Sequence, residues 1–425
     1  MKYLACTLLL LQLVGCGAMA SLTETSRPLA FEGAEGFGRY TVGGRGGQVY
    51  VVNSLADNPS NPQPGSLRYA VKQRGTRLIT FSVSGVIKLQ KTLEIKHDFI
   101  TIDGQTSPYG IVISGADTSI EANQVILRYL RFRPGSALEE GDALSARNQN
   151  DIMIDHCSMS WANDEVGSFY NNTRFTLQHS ILSESLRKST HHKGSHGYGG
   201  IWGGRSASFI HNVMAHHDSR VPRINGYRLR PKYSVDEQLT DVRNNVFYNW
   251  GANSSYGGEN GIFNVVGNYY RPGPASKTTR FFQVYSAGKD KPAQGYIAQN
   301  IMYGHPKLSA NNQLGVKIKD TNKSSSQSKN DLYATNIVER LNWPVNESQQ
   351  PIEANAELAW QTLIVERNVG ANRNANGVFM DSVDRRILQE IASGTATFGT
   401  GIIDNELQVI SSWDDYAREF SAAQR

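Results

Sequence analysis

Read as apolar and polar positions, the chain repeats itself. Seven short segments share the order apolar-x-apolar-x-[His/Asn]-apolar-x-apolar: MIDHCSM, TLQHSIL, FIHNVMA, VRNNVFY, VVGNYY, IAQNIMY and YATNIVE. Period-two alternation marks a strand with two different faces, because successive Cβ atoms leave opposite sides of the pleat. The recurring polar position falls on His156, His179, Asn212, Asn245, Asn268, Asn300 and Asn336, at separations of 23, 33, 33, 23, 32 and 36 residues. A polar side chain among apolar strands costs free energy unless it is hydrogen-bonded. Stacked coils meet that cost, since a residue at the same corner of each coil can bond to its counterpart on the next. The pattern therefore predicts an all-β fold, a right-handed parallel β-helix, with His156 and His179 as structural members of the ladder. Upstream, LITFSVSGVIKL, FITIDG and VILRYLRF continue the rhythm with β-branched strands.

Unequal separations place insertions in loops on one face of such a solenoid. The two long intervals hold SESLRKSTHHKGSHGYGGIWGGR and HHDSRVPRINGYRLRPKYSVDEQ, which project side by side from neighbouring coils. Beyond residue 345 the period changes: AELAWQTLIVERNVG and DSVDRRILQEIASGT have helical spacing, the second with Asp381 as N-cap and Gly394 as stop. The reading is a β-helix over 28–345 and a helical segment over 346–425 that packs against or caps it. At the start, MKYLACTLLLLQLVGCGAMA has one lysine, an apolar run too short to span a bilayer, and small residues, which is an export signal within 1–20. Leu13-Val14-Gly15-Cys16 suits cleavage before Cys16 and its lipidation; Ala18-Met19-Ala20 suits ordinary release. Either way the protein is exported, as an outer-membrane or cell-surface lipoprotein or in secreted form, and meets a membrane only through a lipid anchor. Cys157 is then left alone, so no intrachain disulfide forms and the core must supply the stability.

Composition sharpens the picture little: 40 glycines in 425 residues fit a turn-rich β protein, and a net charge of +5 makes no demand for nucleic acid. Any polyanion site must be local. AHHDSRVPRIN, residues 215–225, packs two histidines, an aspartate and two arginines around one proline. GDALSARN supplies Asp142, and WANDEVGSF supplies Asp164 and Glu165. Hard oxygen donors without matching Cys or His spacing suit Ca²⁺ better than zinc. Ca²⁺ on one side of a groove and Lys193, Arg220 and Arg223 on the other suit an acidic polysaccharide built of uronates. The C5 proton of a uronate becomes acidic once its carboxylate is neutralised, and a metal with arginines can do that and stabilise the developing charge. Loss of that proton expels the oxygen at C4 by β-elimination. GGRGG at 43–47 lacks the Lys-Ser/Thr of a phosphate loop and reads as a tight turn. Trp161 and Trp202 read as packing residues.

AFEGAEGFGRYTVGGRGGQVYVV, GSLRYAV, GDALSARN, IDHCSMSW, HNVMAHHDSRVPR and NNVFYNW, in this order over roughly 29–275, resemble the pectate lyases of polysaccharide lyase family 1. The resemblance implies a right-handed parallel β-helix, Ca²⁺ dependence and cleavage of polygalacturonate to unsaturated oligogalacturonides. It makes Asp142 and Asp164 metal ligands, Arg220 the base that abstracts the C5 proton, and Arg223 a substrate-binding arginine. The family's second paired acid falls on Ser168, with Glu165 as substitute, and a further arginine falls on Asn225. Its substrate lysine has no direct counterpart: Tyr198 stands near that place, leaving Lys193 or His196 to serve. A basic arginine needs a dry, cationic setting, because its pKa normally lies above about 12; His196, His216 and His217 are chemically easier bases. A monomer is expected. Two other readings stand beside the first: a lyase for another uronan, such as an algal one, and a non-catalytic surface carbohydrate-binding protein.

Overall fold

The structure, a computed structural model, describes residues 27–138, 140–188, 194–286, 293–320 and 350–421. The export signal, Cys16, Lys193 and Asn336 lie outside the described residues.

The alternating segments form strands, and every strand pairing among the described residues is parallel except the short hairpin of Arg373–Asn374 with Gly377–Val378. One sheet stacks nine strands, from Gly85–Lys88 through Ser158–Ser160 and Val213–Ala215 to Ile301–Met302, each beside the strand one coil away. The chain is a right-handed parallel β-helix, all-β in class, with a helical C-terminal segment packed against it. Ile79, Ile102, Leu127, Ile154, Leu177, Phe209, Val242, Val265 and Ile297 occupy one position on successive coils. All are buried in one continuous core. Period-two patterning thus becomes a column of apolar side chains along the solenoid axis.

The polar ladder exists, in a corrected register. Asn212, Asn245, Asn268 and Asn300 each donate through the backbone N–H and side-chain amide to the side-chain oxygen of the asparagine on the next coil, at 2.8–3.1 Å, and the run ends on Asn312. Upstream the ladder passes to Ser180, whose N–H donates to Asn212 at 2.9 Å, and then to Cys157, whose N–H donates to the Ser180 hydroxyl at 3.1 Å. His156 and His179 stand one residue earlier. That position is left-handed on six successive coils: His156, His179, His211, Asn244, Gly267 and Gln299 have φ of 47°, 46°, 56°, 55°, 62° and 57°. The reversed corner turns these side chains away from the ladder. Tyr129, His156, His179 and His211 build a separate stack of rings with centroids 5.0, 4.8 and 5.0 Å apart. His156 Nδ1 donates to Asp155 at 2.9 Å, and His179 Nδ1 donates to the Asn368 carbonyl at 3.0 Å. Burial and its two histidine neighbours hold His179 well below the usual imidazole range. The histidines are structural, as expected, but in a different ladder.

Other local expectations hold. Asp381 caps the helix Ser382–Ser393 by accepting from the N–H groups of Val383 and Asp384, and Gly394 ends it at φ 78°. Trp161 is fully buried and donates to Glu184 at 3.0 Å; Trp202 is fully buried and stacks on Phe209 at 4.5 Å. In the GGRGG turn a Cβ on Gly44 would stand 1.9 Å from the Arg77 carbonyl oxygen, so the glycine permits close approach to the next coil.

The C-terminal helix lies along the side of the coils, where Ile387, Leu388 and Ile391 cover Ile181, Val213, Ala215 and Val246. Charges fasten it. Asp381 and Asp384 pair with Arg131 and Arg133, all four side chains fully buried, and Arg386 bridges Glu184 and Glu390. Glu390 also faces His216 Nε2 at 2.8 Å. Burial alone would push the Glu390 carboxyl up, but the hydrogen bond and charge of His216, with the Thr397 amide and Arg386, hold it down at about 2. A carboxyl lower in the folded than in the unfolded chain stabilises above its unfolded value and loses that contribution as pH falls through its folded one. We expect Glu390 to account for about 3 kcal/mol of stability lost between roughly pH 5 and 2. Urea midpoints across that range should show Glu390→Gln less stable at neutral pH and lacking this acid-dependent component.

Candidate active site

Four successive coils bring the sequence-distant candidates together. The backbone of Ala143 donates to the Glu165 carbonyl at 3.2 Å, and that of Val166 to Tyr198 at 3.1 Å. Glu165, Tyr198 and Ser219 then bridge as parallel neighbours. Asp142, Glu165, Tyr198 and Arg220 therefore share one side of the β-helix.

Among the described residues, Asp142, Asp164 and Glu165 form a group in which one carboxylate oxygen from each lies within 4.8 Å of the others. Asp142 is buried; its Oδ1 accepts from the Glu165 N–H at 3.1 Å and its Oδ2 from Arg147 at 2.8 Å. Burial pushes its carboxyl up to about 7, with the charge of Asp164 adding and Arg147 opposing. An open cleft of about 460 Å³ runs from Asp142 and Asp164 past Arg147 to Thr92 and Asp117.

Arg220 also has a left-handed backbone, φ 59°, which turns its side chain back over the preceding coil. The guanidinium lies 4.0 Å from the Tyr198 ring centre and ion-pairs with Glu165. Its side chain keeps 23% of its exposure while that of Glu165 keeps 3%, so the arginine is the member of the pair that solvent reaches. Arg223 pairs with Glu259 and lies within 5.0 and 5.3 Å of the ring centres of Tyr256 and Tyr285. His196 Nε2 is 3.8 Å from Asp164, and its Nδ1 donates to the Gly194 carbonyl at 2.6 Å.

Two of the histidines offered as easier bases do not reach this surface. His217 is fully buried, donating to the Leu182 carbonyl at 3.0 Å and accepting from the Ser185 hydroxyl at 2.8 Å; burial drives it down to about 3. His216 is buried between Asn249 and Glu390. Both serve packing.

No family profile matches the chain. A probable pectate lyase C of Emericella nidulans is 31% identical over 402 residues, which is 92% of this chain and 80% of that protein. The chain belongs to the pectate lyase family. A probable pectate lyase C of Aspergillus flavus is 36% identical over 280 residues, 63% of this chain, and the match spans 60% of that relative's length. Among solved structures, Jun a 1, the major allergen from cedar pollen, shares the fold at 21% identity with a TM-score of 0.54, covering 79% of this chain and 92% of that one.

Two positions set this pectate lyase relative apart from the pattern its motifs resemble. Ser168, where the second acid is expected, is fully buried beside Ser145, while the Glu165 carboxylate stands with Asp142 and Asp164. Asn225, where a further arginine is expected, is fully buried and donates to Asn171 at 2.9 Å, closed to any ligand. Sequence reading also missed Arg147 and Glu259. Arg147 could have been found inside GDALSARN as the cation next to Asp142. Glu259 carries no local signal, because its pairing with Arg223 exists only once the coils stack.

Proposed function

We propose that this protein is a Ca²⁺-dependent lyase that cleaves polygalacturonate by β-elimination and releases unsaturated oligogalacturonides. The observation that carries this reading is the placement of Arg220 and Arg223 on one coil, two rungs from the coil of Glu165 in a cluster of three carboxylates, on one side of the solenoid. Asp142, Asp164 and Glu165 fit a hard cation: all donors are oxygens, and the Asp142 carboxyl, raised chiefly by burial, is one whose charged form a cation would favour. When bound, Ca²⁺ supplies positive charge opposite the substrate carboxylate. Arg223 presents a second cation to the sugar, and His196 lines the same side.

Arg220 takes the proton from C5, the electron pair moves to form the C4–C5 double bond, and the bond from C4 to the glycosidic oxygen breaks, that oxygen keeping the bond's electrons and taking a proton from water. Glu165 has two roles in conflict, as oxygen donor for the cation and as partner of Arg220. A cation held by Glu165 would draw its carboxylate away from the Arg220 guanidinium and leave that group to meet the sugar. We infer also that the chain is exported as a monomer, with the apolar run before Cys16 as its signal and Cys16 lipidated.

The test is the ultraviolet absorbance of unsaturated uronate, followed with polygalacturonate and with other uronans, with and without chelator. We expect product from polygalacturonate, its loss on chelation and its return with added Ca²⁺. Product from a different uronan alone would move the substrate, and no product from any polymer would leave only carbohydrate binding.

A further inference from the structure

Each carboxylate of the cluster faces a cationic or protonatable side chain of the chain itself. Asp142 has Arg147 at 2.8 Å, Glu165 has Arg220, and His196 Nε2 stands 3.8 Å from Asp164. A divalent ion entering among these acids meets positive charge already in place. Arg220 has a part in the proposed chemistry; Arg147 has none.

Geometry sets the two members of the Arg147–Asp142 pair apart. The Asp142 side chain keeps 5% of its exposure, and its Oδ1 accepts from the Glu165 N–H at 3.1 Å, a backbone group that the rung holds in place. Oδ2 is the oxygen that faces Arg147. The arginine keeps 47% of its side-chain exposure and stands at the end of the strand Leu144–Arg147, so it can swing away without opening the core. In register on the next coil is Tyr170, whose ring centre lies 5.2 Å from the guanidinium, a second surface on which a planar cation can rest. Arg147 and Asp142 line the same open cleft. A guanidinium and a divalent ion sharing one oxygen repel each other, so either holds Oδ2 at the expense of the other.

We propose that Arg147 is the resident counter-ion of the cation site: it holds Oδ2 of Asp142 in the metal-free protein and yields it to Ca²⁺ by moving onto Tyr170. The proposal rests on the Ca²⁺ reading of the cluster and adds to it a residue that sets how tightly the ion is held. Two consequences follow from the exchange. The coil of Asp142 folds without metal, because its buried carboxylate always has a counter-charge. Uptake of Ca²⁺ is weaker than the three acids would give unaided, since each ion bound displaces a cation.

Calorimetric titration of the full-length protein with Ca²⁺, together with its melting midpoint with and without the ion, tests the exchange. Arg147→Ala should bind Ca²⁺ about fivefold to tenfold more tightly, the scale of one half-exposed ion pair. Its metal-free form should melt below the wild type, and Ca²⁺ should raise its midpoint by more. Arg147→Gln, which keeps a donor but not the charge, should behave alike and carries the test should the alanine variant not fold. Arg147→Lys should stay near the wild type, and so should Arg418→Ala, an exposed arginine on the helix Trp413–Arg418. Unchanged or weaker Ca²⁺ binding in the alanine and glutamine variants overturns the role of Arg147 while leaving the metal site intact. A wild-type protein that takes up no Ca²⁺ overturns the metal reading itself, and the counter-ion with it.

Discussion

Arg220→Ala lowers kcat on polygalacturonate by about 10²- to 10⁴-fold, the range over which a positioned general base acts. The loss should fall on kcat more than on KM, because in the proposed mechanism other groups hold the carboxylate and Arg220 meets the proton. Rates of unsaturated product formation at saturating substrate give the number. Arg220→Lys should recover only part of the rate, because it keeps a basic nitrogen but loses the planar fork. Full turnover by Arg220→Ala would remove Arg220 from the chemistry even if the lyase survived. His196, 3.8 Å from Asp164, would then be the next base to test.

The second large effect lies away from the groove. Arg133→Ala should cost about 3–5 kcal/mol in urea unfolding, the range for removing one partner of a buried ion pair. Its guanidinium reaches Asp381 at 3.0 Å and Asp384 at 2.6 Å and donates to the Tyr416 hydroxyl, with no exposure on either side of the pairs. Removing it strands two carboxylates in the dry seam between coils and tail, where Arg131, 2.5 Å from Asp381, cannot serve both. Asp381→Ala should do comparable damage, since it removes the helix cap together with the counter-charge of Arg131. A cost below about 1 kcal/mol would mean that water enters the seam and solvates the freed charges.

Local patterns were readable where one strand or one helix end decides them. The period-two alternation at Ile154 and Leu177 is the core column, and Asp381 and Gly394 bracket the last long helix because capping chemistry is local. The misplacement of His156 and His179 has an equally local cause. From His156 onward the coils turn this corner through two adjacent positions, a left-handed one and then a ladder one, and sequences such as His211-Asn212 and Asn244-Asn245 are polar at both. Apolar spacing cannot tell the two apart; backbone handedness does. Asp142, Asp164, Glu165 and Arg220 could be named from their motifs, but their meeting depends on how many residues each coil spends in loops. For that reason the partners formed by stacking, Glu259 for Arg223 and Arg133 for Asp381 across 248 residues, had no precursor in the linear pattern.

The asparagine ladder and the ring stack tie each coil to the next by short, repeated contacts, so the pitch of the solenoid is set by backbone pairing at about 4.8 Å per strand. Loop insertions leave that pitch untouched. Spacing between the acidic rung and the arginine rung is therefore quantised: it changes by whole coils or through side-chain reach, and never by a fraction of a turn. A descendant of this chain adapting to a polymer with a different sugar repeat must exchange side chains on existing rungs or acquire an entire new one.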